Sequence, residues 1–357
     1  MKTLKDFNVN NKRILVRVDF NVPLDKRGNI LDDFRIKHVI PTIEHLIKNK
    51  AKIILISHLG RPNPKSEIRN PKQIPNSNDQ NSKLNEFSLK PIAFRLEKLL
   101  NQKVKFNELN KIRSREVVLL ENLRFYKEEE GNDQNFAKEL AKLGDIFIQE
   151  AFACCHRSHA SIVSLPKYLP SGAGFLVEKE LDSLEKVIKN PSRPLVAIIG
   201  GIKLETKIKL TQKLSQICDF VLVSSVLSLE ILKKKISLPK NVILTKDVAL
   251  SMETAPPDID SKTIALFTEK ISQAKTIFWN GPLGKIEKKE FQNGTKKIAK
   301  KIIESNAYSI VGGGETVKFL REINLTDKFN HLSTGGGAMI DYLVDGKLAG
   351  IEALNQN

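Results

Sequence analysis

Cysteine is scarce in this chain of 357 residues. Two of the three are adjacent, Cys154 and Cys155, and the third is distant at Cys218. They build neither a disulfide framework nor a CxxC zinc pattern, which fits a reducing compartment. Aromatic residues make up 6%, too few for the stacking platforms of single-stranded nucleic-acid binders. No apolar run reaches the length of a membrane span. No apolar segment with a small-residue cleavage site stands at the N-terminus. A cytoplasmic protein without a membrane partner is therefore expected. Blocks of five or more like charges are also missing, although Lys and Arg outnumber Asp and Glu 58 to 41, a formal +17. That excess reads as a solvated lysine-rich surface with no nucleic-acid partner; a basic nucleic-acid-binding protein is the alternative of another class. GxxxxGK[ST] is absent, and GGIKLE lacks the third glycine of GxGxxG. Both P-loop ATPases and NAD-dependent oxidoreductases are thereby set aside. His156 and His159 stand three apart but lack a third ligand at matching spacing, so zinc is not expected. There is no fixed-period repeat.

What is present is a rhythm. Short β-branched runs at 14–18, 53–57, 117–121 and 145–149 alternate with amphipathic stretches, the pattern of a parallel sheet covered on both faces. A long helical pattern over 175–190 ends at Pro191. A second series follows at 195–200, 219–223, 241–245, 276–280 and 308–314. The expected fold is α/β, with two Rossmann-like three-layer αβα domains of mainly parallel sheets joined by a hinge helix. The boundaries read as 1–172 for the first domain, 173–190 for the helix and 191–344 for the second. Residues 63–87, rich in Asn, Pro, Lys and Ser, read as a mobile surface loop.

The chemistry-bearing residues sit just after the strands, where open α/β sheets bind ligands. In the first half these are Asp19 and Asn21, then His58 and Arg61, then Arg124, then His156, Arg157 and His159. Arg35 opens the first helical pattern. Guanidinium forks match phosphate and carboxylate geometry, so Arg35, Arg61, Arg124 and Arg157 together suit a small, multiply charged anion. In the second half Gly200 and Gly201 form a tight turn, with Lys203 and Lys207 four apart beyond it. Ammonium groups beside a helix N-terminus suit phosphate. WNGPLGKIE brings Asn280 and Glu287. VGGGET brings Gly312, Gly313, Gly314, Glu315 and Thr316, and HLSTGGGA brings Gly335, Gly336 and Gly337. A glycine triplet lets backbone N–H groups approach an anion closely. One half suits a small anion and the other a metal-bound polyphosphate, a combination that suggests phosphoryl transfer with domain closure.

RVDFNVPLD, SHLGRP, LLENLRFYKEEE, HRSHAS, AGFLVEKEL, GG-x-K-x-x-x-K, WNGPLG, VGGGET and HLSTGGGA occur in this order along nearly the whole chain, which thereby resembles the phosphoglycerate kinase family. The resemblance implies reversible transfer of a phosphoryl group between 1,3-bisphosphoglycerate and ADP, giving 3-phosphoglycerate and ATP, with magnesium, in a glycolytic monomer. It implies that Asp19, Asn21, Arg35, His58, Arg61, Arg124 and Arg157 hold the glycerate substrate. Gly201, Lys203, Lys207, Asn280, Glu287, Gly312–Gly314, Thr316 and Gly335–Gly337 would surround the nucleotide, with Glu287 on the ribose. Glu315 would ligate magnesium, and Arg35 and Lys203 would be catalytic. The tail 345–357 would fold back onto the first, 3-phosphoglycerate-binding domain. The chain also departs from the family pattern. Glu315 stands where Asp is usual, Ile202 replaces a small Ala, and Ser224, Ser225 and Val226 replace glycines, with a short segment after them. Glu150 and Ala153 occupy a turn that usually carries aspartate and glycine. These changes imply an altered nucleotide preference. Loss of catalysis is the other possibility, opposed by the intact Arg35, Lys203 and Lys207.

Overall fold

A computed structural model describes residues 1–62, 85–107, 112–245 and 255–356. The loop expected over 63–87 lies outside the described residues except for a short turn at Asn85–Phe87. The chain forms two compact units, Met1–Lys179 with Lys347–Asn357, and Glu180–Gly346.

The first unit runs β1 (Arg13–Arg17), α1 (Phe34–Lys48), β2 (Lys52–Ile56), α2 (Lys90–Leu100), β3 (Val104–Phe106), β4 (Val117–Leu119), α3 (Lys127–Glu130), α4 (Gln134–Ala141), β5 (Ile146–Gln149) and β6 (Ser171–Ala173), then enters α5 (Phe175–Ile188). Its sheet has the order β3-β4-β2-β1-β5-β6, and every pairing is parallel. Ile14, Leu15 and Val16 are all fully buried. Successive strand residues face opposite sides, so both faces of this sheet are covered and the strand has no polar alternation. α1 buries Ile36, Val39, Ile43 and Leu46 at helical spacing.

The second unit continues with β7 (Leu195–Ile199), α6 (Leu204–Ser215), β8 (Phe220–Val223), α7 (Ser225–Lys233), β9 (Val242–Ile243), α8 (Ser261–Gln273), β10 (Thr276–Asn280), α9 (Asn293–Glu304), β11 (Tyr308–Gly312), α10 (Gly314–Glu322), β12 (His331–Leu332) and α11 (Gly336–Asp345). Its parallel sheet has the order β12-β11-β10-β7-β8-β9. The last helix, α12 (Ala349–Leu354), belongs to the first unit, where Gly350 N donates to Cys155 O at 2.7 Å. The fold is α/β with two three-layer αβα units, as the alternating runs imply.

Each sheet has a central junction from which the chain leaves its two strands in opposite directions, β1 and β5 in the first and β7 and β10 in the second. Helices leave such a junction in opposite directions, which opens a crevice at the carboxyl ends of the two strands.

The border between the units falls inside α5, between Lys179 and Glu180. The helix start is held by a fully buried carboxyl, Glu150, just past β5. It accepts hydrogen bonds from the Thr42 hydroxyl, from Leu176 N at 3.0 Å and from Val177 N at 3.5 Å. A Cβ on Gly174 would overlap this carboxyl, so the turn into α5 requires glycine there. Burial pushes Glu150 from 4.5 up to about 7, against the opposite pull of those hydrogen bonds. A carboxyl raised in the fold is held protonated there. Its favourable contribution is complete below 4.5 and is lost as pH rises through about 7. Wild-type protein is expected to lose about 3 kcal/mol across that window through this one group. Glu150→Gln removes the titration, so its melting temperature should gain on wild type between about pH 5 and about pH 8. Two melting curves that keep a constant separation over that range would contradict the assignment.

Candidate active site

At the first crevice the backbone leaves β1 through Val18, whose N–H still donates to Ile56 O at 3.0 Å. The chain then turns so that Phe20 N donates to Ser57 Oγ at 2.9 Å. This leaves Asp19 and Asn21 beside the residues that follow β2. Asp19 accepts from Arg35 Nη1 at 2.8 Å, and the same guanidinium reaches Asn21 O at 3.1 Å. Arg35 is thereby carried by the first turn of α1 and oriented by the β1 loop. Asn21 Oδ1 accepts from Gly60 N at 2.9 Å, while Arg124 Nη1 donates to Gly60 O at 2.6 Å. Asn122 fixes the turn that carries Arg124 by accepting from its backbone N at 3.0 Å.

His58 is almost fully buried among these groups. Burial, then the charges of Arg17, Arg124, Arg157 and Arg35, hold its ring well below the usual histidine range. The charges of Arg35, Arg124 and Arg157 are thus all felt at this one buried ring. Burial, then the charges of Arg124, Arg157, Arg17 and His156, bring His159 down to about 4. Arg61 is exposed, and no hydrogen bond or ion pair of the described residues links it to the others.

One group of three metal-capable side chains occurs here among the described residues: Asp19, His58 and Cys154, with donor atoms within 4.8 Å. Asp19 is already paired with Arg35, and burial together with Asp19 holds the Cys154 thiol up to about 11. A cation would face several guanidinium charges and a protonated thiol, so the arrangement suits an anion.

Three residues of this cluster escaped the sequence reading. Arg17, 1% exposed, lies inside β1 and donates to Ser161 Oγ at 2.8 Å and to Val18 O, and approaches His58 Nδ1 to 3.2 Å. Ser161 donates from its hydroxyl and backbone N to the fully buried Glu129, at 2.6 and 3.0 Å. The available signal was a single arginine within the otherwise apolar ILVRV.

At the second crevice the turns after β7 and β10 touch backbone to backbone. Gly200 N donates to Asn280 O at 2.9 Å and Gly201 N to Pro282 O at 3.0 Å. A Cβ on Gly200 would fall 2.8 Å from Gly281 O, and Gly281 itself has φ +94°. Gly313, at φ +93°, packs next: a Cβ there would meet Gly281 N at 3.3 Å, and a Cβ on Gly336 would meet Gly313 Cα at 3.0 Å. Gly200, Gly281, Gly313 and Gly336, one from each of the turns after β7, β10, β11 and β12, therefore crowd one small region in which a side chain would meet backbone. Around it α6, α10 and α11 begin, and none has a side-chain cap on its first N–H groups. Uncapped N–H groups carrying partial positive charge form a ready anion site.

Lys203 is the N-cap of α6 and is exposed, while Lys207 is buried one turn on. Lys207 Nζ donates to Asn280 O at 3.2 Å and to Asn280 Oδ1. Burial, then the Lys203 charge, brings Lys207 down to about 7, with Glu315 pulling the other way. A bound phosphate would restore the charged form. Asn280 Nδ2 and Thr316 Oγ1 are buried without a hydrogen-bond partner among the described residues. Such orphans beside the glycine turns mark a place that a polar ligand completes. The Gly335–Gly337 turn is fixed from α5, where fully buried Glu180 accepts from Thr334 N at 2.7 Å and pairs with His331 Nε2 at 2.8 Å. Glu180 also escaped the sequence reading. Glu287 and Glu315 are exposed. Ile202 is 74% exposed, and Ser224 and Ser225 are buried at the start of α7.

A family model described as phosphoglycerate kinase matches residues 4–240 and 227–347. The phosphoglycerate kinase of Borrelia garinii subsp. bavariensis is 41% identical with all of both chains covered, and that of Finegoldia magna is 39% identical with 99% of each covered. Both alignments run over 409 residues, more than the 357 of this chain, so the relatives carry insertions. The solved phosphoglycerate kinase of Coxiella burnetii superposes with a TM-score of 0.80 at 31% identity over 99% of each chain. That of Pyrococcus horikoshii gives 0.82 at 28% identity, covering 99% of this chain and 98% of its own. The chain belongs to the phosphoglycerate kinase family.

Proposed function

We propose that this chain catalyses reversible phosphoryl transfer between 1,3-bisphosphoglycerate and ADP, giving 3-phosphoglycerate and ATP, as a cytoplasmic glycolytic monomer. The observation that carries the reading is the pair of crevices. One gathers guanidinium groups around a neutral histidine, and the other gathers glycine turns, uncapped helix N-termini and two lysines.

Arg35, Arg124 and Arg157 bind the carboxylate and phosphate of the glycerate, joined by Arg61, with Asp19 and Asn21 orienting Arg35 and the backbone around Gly60. Lys207 and the N–H groups of the glycine turns hold the nucleotide phosphates. Glu287 takes the ribose, and Lys203 neutralises the group in flight together with Arg35. The acceptor carboxylate is itself a nucleophile, so positioning and charge neutralisation carry the rate and no covalent enzyme intermediate is needed.

Magnesium fits the residues present. Exposed Glu315 and the unpartnered Thr316 hydroxyl offer oxygen donors beside the glycine turns, and magnesium takes oxygen ligands. Glu315 would hold the ion, which supplies charge neutralisation between the phosphates.

A coupled assay tests the proposal: ADP formation from ATP should depend on added 3-phosphoglycerate. Running it with GTP beside ATP reads the base preference that Ile202 and Ser224–Val226 place in question. Absence of 3-phosphoglycerate-dependent turnover with either donor would overturn the reading.

A further inference from the structure

Arg17 is buried in β1 at the centre of the first sheet, and nothing in the reaction above uses it. A buried guanidinium costs several kcal/mol of desolvation unless it is paired, so its partners say why it is there. Its Nε donates to Ser161 Oγ at 2.8 Å and one Nη donates to Val18 O. Glu129, fully buried, stands 3.9 Å away as counter-charge and accepts from Ser161 Oγ at 2.6 Å. The remaining Nη lies 3.2 Å from Nδ1 of His58.

Arginine has five N–H donors and no acceptor, and it stays protonated in proteins. The atom facing its Nη must therefore be an acceptor, so Nδ1 of His58 carries no proton. We propose that Arg17 is a positioning residue that fixes His58 as the Nε2-protonated neutral tautomer, and so turns the other ring nitrogen into a hydrogen-bond donor toward the glycerate substrate.

The surroundings support this. Burial and the charges of Arg17, Arg124, Arg157 and Arg35 all disfavour the imidazolium. Asp19 Oδ1 is the nearest carboxylate oxygen, and at 3.8 Å from Nδ1 it is too far to accept a proton from that atom. Ser161 on Nε, Val18 O on Nη1 and Glu129 3.9 Å from Nη2 hold the guanidinium on three sides, which fixes where the nitrogen facing His58 sits. A neutral donor suits the position. It can hydrogen-bond a substrate oxygen without adding a further positive charge to an arginine group that already repels itself.

The inference rests on the glycerate-binding reading for its consequence, while its first test does not need activity. Nitrogen NMR of histidine-labelled wild-type protein, with the His58 signals identified by their loss in His58→Gln, should show a bare Nδ1 and a protonated Nε2. Adding 3-phosphoglycerate should shift the Nε2–H signal and leave Nδ1 bare. A ring protonated at Nδ1, or at both nitrogens near neutral pH, would overturn the proposal whether or not the protein turns over substrate. Arg17→Met should leave the ring exchanging between tautomers, with KM for 3-phosphoglycerate raised about tenfold or more and KM for ATP unchanged. Arg17→Lys, which keeps a donor, should recover part of that loss. An Arg17→Met protein with one fixed tautomer and an unchanged KM would also overturn it. Loss of both KM values together would signal only general damage, and in that case the wild-type spectrum decides the question.

Discussion

Replacing Lys203 or Arg35 with alanine is expected to lower kcat by about 10²–10³-fold each, the usual cost of removing one preorganised charge from a transition state. Lys203 is the N-cap of α6 and its side chain is exposed, so its loss removes charge from the mouth of the second crevice without opening a core. Its melting temperature should match wild type. Arg35 is one-third exposed and anchored by Asp19 at 2.8 Å. Arg35 makes its contacts to Asp19 and to Asn21 O through Nη1 alone, which leaves Nε and Nη2 for a ligand; Arg35→Lys keeps the charge but loses those two further donors, and should recover only part of the rate. Steady-state kinetics with both substrates saturating checks these values. Unchanged kcat in either alanine variant would remove that residue from the transfer step.

Gly281→Ala should be the most damaging single methyl in the second unit. Its φ of +94° is a conformation that side chains disfavour, and the new Cβ would overlap the carbonyl of Gly200, which is backbone and cannot rotate away. The two turns would have to separate, breaking the Gly200 N–Asn280 O bond and the setting of Lys207 on Asn280. A loss of about 3 kcal/mol and a rise of at least tenfold in KM for ATP are expected. Gly314→Ala is the control, because nothing lies within 4 Å of its Cβ and its φ is not positive. Thermal melts of the two variants should differ by several degrees; equal melts would mean the turns are looser than this packing implies.

The strong strands were legible because they are buried on both faces. Ile14–Val16 and Leu195–Ile199 are apolar without a break, and that pattern in alternation with helices has few other solutions. β3, β6 and β12 were not legible. Val104–Phe106 and Ser171–Ala173 have three residues each and His331–Leu332 two, too short for a period to appear, and they exist because a neighbouring strand already offers its edge. The residues proposed to bind the anion could be picked out in sequence because they stand at strand ends, as Asp19, His58 and Arg124 do. Arg17, Glu129, Ser161 and Glu180 could not. Each is buried, and each acts through a partner distant in sequence, 41 residues away for Arg17 with His58 and 151 for Glu180 with His331. A motif names what faces the substrate. What holds that residue in place is visible only when the chain is folded.

The central claim is that one chain carries two separate anion sites of different chemistry, each at the central junction of its own sheet. Hydrogen–deuterium exchange with each ligand alone tests it directly. 3-Phosphoglycerate should protect the segments after β1, β2, β4 and β5, around Asn21, Gly60, Arg124 and Arg157. ADP with magnesium should protect those around Gly201, Gly281, Gly313 and Gly335. Protection by both ligands on the same segments, or by either one away from these turns, would contradict the account.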